Sequence, residues 1–167
     1  MKKLHFIRHA KSSWRNAYLA DIDRPLNERG VRSCQVMAAQ IVKAGCPLDN
    51  IFCSPAVRAQ STIEHINEAI VDRELSWTTD RRLYTFDVRD LLNWCRELDD
   101  ELAEVTVVGH NNALTDFVNS MSDRTIENLP TCGYAQLTLR EKDWRSLSPN
   151  SVRLTDFLKP KMFLPQK

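Results

Sequence analysis

Val105-Thr106-Val107-Val108 is the run that most narrows the fold. It is short, apolar and β-branched, the make-up of a strand buried on both faces, and such strands belong to parallel sheets covered by helices. It ends in Gly109-His110-Asn111, and an amphipathic helix follows, with Ala113, Leu114, Phe117, Val118 and Met121 on one face. The same alternation runs through the chain. Leu4 to Phe6 begins a first strand. A helix from Glu28 to Ala44 then sets Val31, Cys34, Met37, Ala38, Ile41 and Val42 on its core side. Asn50 to Cys53 is a second strand, followed by a helix carrying Ala59, Ile63, Ile66 and Ile70 inward. Leu75 to Thr79 is a third strand, and Asp87 to Leu98 is amphipathic through Val88, Leu91, Leu92, Cys95 and Leu98. Tyr134 to Leu139 and Val152 to Phe157 complete the strands, the last at an edge. The pattern predicts an α/β fold, a three-layer α/β/α sandwich with a mostly parallel central sheet.

Local signals place the boundaries. Asn27 is the N-cap of the first helix, and Gly45 sits where a C′ residue belongs, with Pro47 just beyond. Ser54-Pro55 reads as an N-cap followed by proline at N1 of the second helix. Asp23-Arg24-Pro25-Leu26 reads as extended, because a residue before proline avoids the helical region.

At 167 residues and 43% hydrophobic, the chain suits one compact domain spanning 1–167, with no internal repeat and no linker. Twenty-three basic and 22 acidic residues leave a net charge of +1, which gives no basis for a nucleic-acid or membrane surface. No window approaches the ~18 apolar residues of a membrane span, and Met1-Lys2-Lys3 runs into a strand rather than a signal peptide. The five cysteines form no C-x-x-C pair, so neither a disulfide framework nor a metal site is expected, and the cytoplasm is the expected compartment. With only 4 glycines there is no G-x-G-x-x-G and no P-loop.

Three strand ends carry basic groups: Arg8 and His9 after the first, Arg58 just past the second, His110 after the buried one. In a doubly wound sheet these converge, because ligands gather outside the carboxyl ends of the strands. Two guanidiniums and two imidazoles make a pocket for a dianion with several oxygens, and phosphate is the natural occupant. A histidine among fixed cations is held neutral near pH 7 and so keeps a nucleophilic nitrogen. The chemistry this predicts is covalent phosphoryl transfer through a phosphohistidine, the arginines neutralising the transferred group.

Arg8-His9 after an N-terminal strand, Ser54-Pro55-x-x-Arg58-Ala59 with Ser61-Thr62 behind it, and Val107-Val108-Gly109-His110-Asn111 together resemble the histidine phosphatase superfamily, with its phosphoglycerate-mutase-like fold. Within it the chain is similar to short bacterial phosphohistidine phosphatases of the SixA type, through Arg8 to Trp14, the Asp23 to Gly30 segment and the ending Asp156 to Lys161. The resemblance implies that His9 is the phosphorylated nucleophile, that Arg8 and Arg58 bind phosphoryl oxygens with His110, and that the Ser12 hydroxyl joins the phosphate. No metal and no other cofactor is implied. Many members carry a general acid shortly after the third strand, whereas Leu83-Tyr84-Thr85-Phe86 offers none before Asp87 or Asp90. Asn112-Ala113 also stands where SixA-like chains commonly carry Pro-Gly.

Loss of an acid would cost an alkyl phosphatase on the order of 10²–10⁴-fold, whereas a phosphohistidine leaves as an imidazole protonated beforehand on its other nitrogen. With no insertion long enough for a lid, the expected substrate is a phosphohistidine on a protein, such as a histidine phosphotransfer domain. The competing readings are a phosphatase of small phosphomonoesters or phosphorylated metabolites, a mutase, and a module that binds a phosphorylated partner without turnover. Simpler roles attach to other residues. Asp87 and Asp90 read as an N-cap and a first-turn acid, and His5 and His65 as packing or surface groups. Trp14 sits at the pocket rim or on the surface. Arg81-Arg82 and the Lys159 to Lys167 tail read as solvated charges, and Cys53 as a small core residue.

Overall fold

The computed structural model describes residues 1–165. Six strands, β1 (Lys2–Arg8), β2 (Ile51–Cys53), β3 (Trp77–Thr79), β4 (Glu104–Gly109), β5 (Tyr134–Leu139) and β6 (Val152–Leu158), form one sheet in the order β3-β2-β4-β1-β5-β6. The pairs β3/β2, β2/β4 and β4/β1 are parallel, and β5 alone runs against its neighbours. Four helices, α1 (Glu28–Lys43), α2 (Val57–Ala69), α3 (Val88–Arg96) and α4 (Ala113–Met121), cover the two faces.

Alternation along the strands divides the core. Leu4, Phe6, Val105 and Val107 face α3 and α4, packing with Leu91, Trp94, Leu114 and Phe117. Ile7, Ile51, Cys53 and Val108 face α1 and α2, packing with Cys34, Met37, Ile41, Ile63 and Ile66. β4 is fully buried from Val105 onward, as its composition requires. The expected three-layer α/β architecture stands, with one antiparallel strand inside it.

The Asn27 side chain accepts from the Gly30 N–H at 2.8 Å, so it caps α1 as expected. Gly45 adopts φ +98, and the bonds Gly45 N–H to Val42 O and Cys46 N–H to Ile41 O close the helix in a Schellman motif. Gly30 matters for another reason. A Cβ there would overlap the Lys11 carbonyl oxygen and come within 3.0 Å of the Lys11 nitrogen, so the first turn of α1 lies directly against the backbone that follows β1.

Four boundaries differ from expectation. α2 begins at Val57 with Ala56 as its unassisted N-cap, not at Ser54-Pro55. The reason is that Ser54 still pairs in the sheet, its N–H reaching Val108 O at 3.1 Å, so Pro55 and Ala56 are needed to turn the chain. Asp23 ends a 3₁₀ turn (Asp21–Asp23) instead of lying extended, and the extended backbone begins at Arg24. β3 is shorter than the apolar run around it, since only Trp77 to Thr79 find partners on β2. Val42 is exposed because the inner stripe of α1 is rotated towards Gly30 and Ser33, which are buried, Gly30 against the Lys11 backbone. The Lys167 end of the basic tail lies outside the described residues.

Candidate active site

Because β4 lies between β1 and β2, three strands carrying basic termini are immediate neighbours, all ending on the same edge. The ladder continues past them: the His9 N–H bonds Gly109 O and the Ser54 N–H bonds Val108 O, both at 3.1 Å. His9, Arg58 and His110 are each buried, and Arg8 is half-buried beside them.

His9 is held by two opposed contacts. Its Nδ1 lies 2.7 Å from the Ala10 carbonyl, which can only accept, so Nδ1 carries the proton and Nε2 keeps its lone pair. Arg58 Nε approaches that Nε2 at 3.4 Å. The His110 ring lies 5.2 Å from that of His9, and His110 Nε2 lies 2.8 Å from the Ser54 hydroxyl. Tyr84 and Phe86 stand edge-on to His110 at 5.5 and 5.4 Å. Arg8 Nη1 donates to Leu129 O at 3.0 Å, and the Cys132 N–H reaches both the Arg8 and the His9 carbonyls. On the opposite side, the Ala10 N–H donates to Thr62 Oγ1, whose hydroxyl donates to the Arg58 carbonyl, tying α2 to the turn after His9.

Both histidines are kept neutral. Burial, then the charges of Arg58, Arg8 and Arg24, push His9 down to about 4 in spite of its bond to the Ala10 carbonyl. Burial, then His9, Arg58 and Arg8, push His110 down to about 3 despite the attraction of Asp21. Burial and Arg58 also lower Arg8. Those mutual influences place all four sequence-predicted groups in one cup. Two buried side-chain nitrogens among the described residues lack a hydrogen-bond partner, Arg8 Nε and His110 Nδ1, and both belong to it. Arg8 Nε is a donor, and His110 Nδ1 is one when Nε2 accepts from the Ser54 hydroxyl; orphaned donors cost roughly 1–3 kcal/mol each unless a ligand satisfies them, and an oxyanion would.

Other predicted residues are accounted for differently. The Ser12 hydroxyl accepts from Arg24 Nη1 at 2.6 Å. Asp87 caps α3 and pairs with Arg89, whose hydrogen bonds hold its carboxyl below the usual range. Asp90 accepts from the Thr85 hydroxyl. Trp14 lies exposed under the Arg24 guanidinium, 3.6 Å from it. Burial pushes the Cys53 thiol far up, as a core residue requires. His5 is fully buried between the Tyr134 hydroxyl and Glu104.

The sequence reading missed a cluster around Asp21. Its Oδ2 accepts from Arg58 Nη2 at 2.9 Å and from the Tyr84 hydroxyl at 2.6 Å, its Oδ1 from Arg24 at 3.2 Å, and its carbonyl from Arg58 Nη1 at 2.7 Å. Partial burial opposes ionisation, yet bonds from Tyr84, Arg58 and Arg24 bring its carboxyl down to about 2. The only available signal was Asp21-x-x-Arg24 ahead of a proline.

The family model for the histidine phosphatase superfamily (branch 1) matches residues 4–92, a stretch that includes Arg8, His9 and Arg58. The chain belongs to the histidine phosphatase superfamily. An uncharacterized protein of Mycobacterium tuberculosis is 30% identical over 166 residues, spanning 93% of this chain and all of that protein. A solved SixA protein histidine phosphatase in complex with tungstate superposes with a TM-score of 0.78 at 21% identity, covering 96% of this chain and 98% of the other. A mycobacterial glucosyl-3-phosphoglycerate phosphatase superposes at 0.68 with 17% identity, covering 92% and 97%. At those identities the likeness establishes the phosphoglycerate-mutase-like fold. Histidine phosphatases are phosphatases or mutases, and phosphatase activity is supported for this chain.

Proposed function

We propose that this histidine phosphatase hydrolyses protein phosphohistidine, of the kind borne by histidine phosphotransfer domains, through a phosphohistidine formed on His9. The observation that carries the reading is the His9 tautomer: Nδ1–H is spent on the Ala10 carbonyl, leaving Nε2 as a neutral nucleophile. Nε2 attacks phosphorus, the Nε2–P bond forms, and the bond from phosphorus to the substrate imidazole breaks. That imidazole keeps the electron pair, and because a proton already sits on its other nitrogen it leaves as a neutral molecule without taking another. Water then attacks the phosphoenzyme and inorganic phosphate departs, regenerating His9. Arg8, Arg58 and His110 hold the phosphoryl oxygens, and the charge of the two arginines stabilises the transferring group without a metal ion. The Ser12 hydroxyl, which accepts from Arg24, keeps its own hydrogen to donate to the phosphate.

The carboxylates support a leaving group that needs no acid. Asp21 and Asp87 are both held ionised by arginines, and neither carries a proton at neutral pH. The reading takes residues 1–167 as a single domain. All five cysteines are free and buried, which fits the cytoplasm.

Two measurements test it. Incubation with a phosphorylated histidine phosphotransfer domain leaves an acid-labile, base-stable label on wild type and none on His9→Ala. A strong preference for p-nitrophenyl phosphate over the phosphoprotein would overturn the substrate, and absence of label would overturn the covalent route.

A further inference from the structure

The net charge of the chain is only +1, yet one region is far from balanced. A groove of about 710 Å³ runs between the start of α1, the loop from Arg124 to Thr131, the end of β6 and the segment that follows it. Lys11, Arg29, Arg124, Lys159 and Lys161 line it, against a single acid, Glu127. None of these five cations makes an ion pair among the described residues, whereas Arg24, Arg73, Arg82 and Arg89 each hold a carboxylate elsewhere. Crowded like charges repel one another and weaken the compact state, so a fold that gathers five without neutralising them is furnished for an anionic visitor. The Lys159 to Lys161 stretch is therefore more than a solvated tail.

The floor of the groove is apolar, formed by Ile126, Leu154, Phe157 and Pro160. Lys159 lies over the Phe157 ring at 5.2 Å, which leaves no open aromatic platform on which a base could stack. An apolar floor with separated cations on its rim fits a peptide bearing carboxylates and an apolar anchor. The groove also borders the active site. Lys11 lies two residues beyond His9, and Leu129, between the groove residues Asn128 and Pro130, gives its carbonyl to Arg8 and to Asn111 Nδ2, both at 3.0 Å.

We infer that this groove docks an acidic segment of the phosphorylated protein, carboxylates on the cations and an apolar side chain on the floor. The inference rests on the phosphoprotein reading above and adds to it the charge of the surface recognised. It is tested with Arg124→Glu combined with Lys161→Glu, two exposed positions outside the active site. The expected result is a KM for a phosphorylated histidine phosphotransfer domain raised about tenfold or more, with kcat for p-nitrophenyl phosphate unchanged and the difference shrinking as salt is added. An unchanged KM for the phosphoprotein overturns the inference, and so does an equal loss with both substrates. If wild type hydrolyses no phosphohistidine protein, the substrate reading fails by itself, and the groove is judged by fluorescence anisotropy with a labelled peptide of alternating Glu and Leu. Binding to wild type that weakens about tenfold in the double variant upholds an acidic-peptide site. Equal binding to both proteins, or tighter binding of a single-stranded oligonucleotide of the same charge, overturns it.

Discussion

Acidification should destabilise this protein through the two buried histidines of the cup before Asp21 is protonated. His9 lies at about 4 and His110 at about 3 in the folded chain, against an ordinary 6.5. As pH falls through the ordinary value, the unfolded chain takes up protons that the folded chain refuses. Stability is therefore fully present above the ordinary value and drains away as pH falls towards the folded ones. Between about pH 7 and about pH 5, each histidine goes from mostly neutral to almost wholly charged in the unfolded state only, a loss of about 2 kcal/mol apiece. Two such losses are a large part of the roughly 5–15 kcal/mol that holds a domain together. The assay is urea denaturation of wild type, His9→Gln and His110→Gln at both pH values, in phosphate-free buffer so that anion binding adds no pH dependence of its own. His5 is also lowered, by burial, but is common to all three proteins and cancels. Asp21, at about 2, begins to protonate only below this window. Wild type should lose about 2 kcal/mol more than either variant on going to the lower pH, and a difference below about 0.5 kcal/mol would refute the reasoning.

Arg58→Lys should lower kcat/KM about 100-fold in steady-state assays, because an ammonium cannot reproduce a fork that reaches His9 and Asp21 together and, on the proposed function, the phosphoryl oxygens; a loss under about tenfold would contradict the role. Asp21→Asn removes the carboxylate that Arg58 holds at 2.9 Å, so inhibition by orthovanadate should tighten about tenfold as repulsion of the bound anion is relieved. An unchanged or weaker inhibition constant would count against an anion seated on Arg58. Because His9 is neutral down to about 4 in the free enzyme, kcat/KM, corrected for the substrate's own ionisation, should show no inflection near the ordinary histidine value, and one appearing there in a pH profile would show that the free imidazole is basic.

What could be read from the sequence was what local chemistry decides. Asn27 and Gly45 act on their own helix ends, and Val105 to Val108 announce burial by composition alone, so both were legible. Arg8, His9, Arg58 and His110 were legible because charge at the end of an apolar strand has few structural explanations. Ser54 misled, since the serine and proline that begin a helix elsewhere here prolong pairing with Val108 for one more residue. Its hydroxyl accepts from the Ala56 N–H at 3.2 Å and also meets His110, across 56 residues of sequence. Asp21 lay in a polar stretch without periodicity, and its meaning comes from Arg58 and Tyr84, 37 and 63 positions away. Val42 was misplaced by a rotation of α1 that only the neighbouring turn could dictate.

That rotation has a corollary for Gly30. The helix α1 presses the bare Cα of Gly30 against the peptide two residues beyond His9, with space for a hydrogen atom and nothing more. The helix thus works as a spacer, and the width of the pocket is inherited from its packing. Side chains introduced far back along α1 would reach the imidazole by leverage, altering turnover while every group that handles phosphate stays as it was.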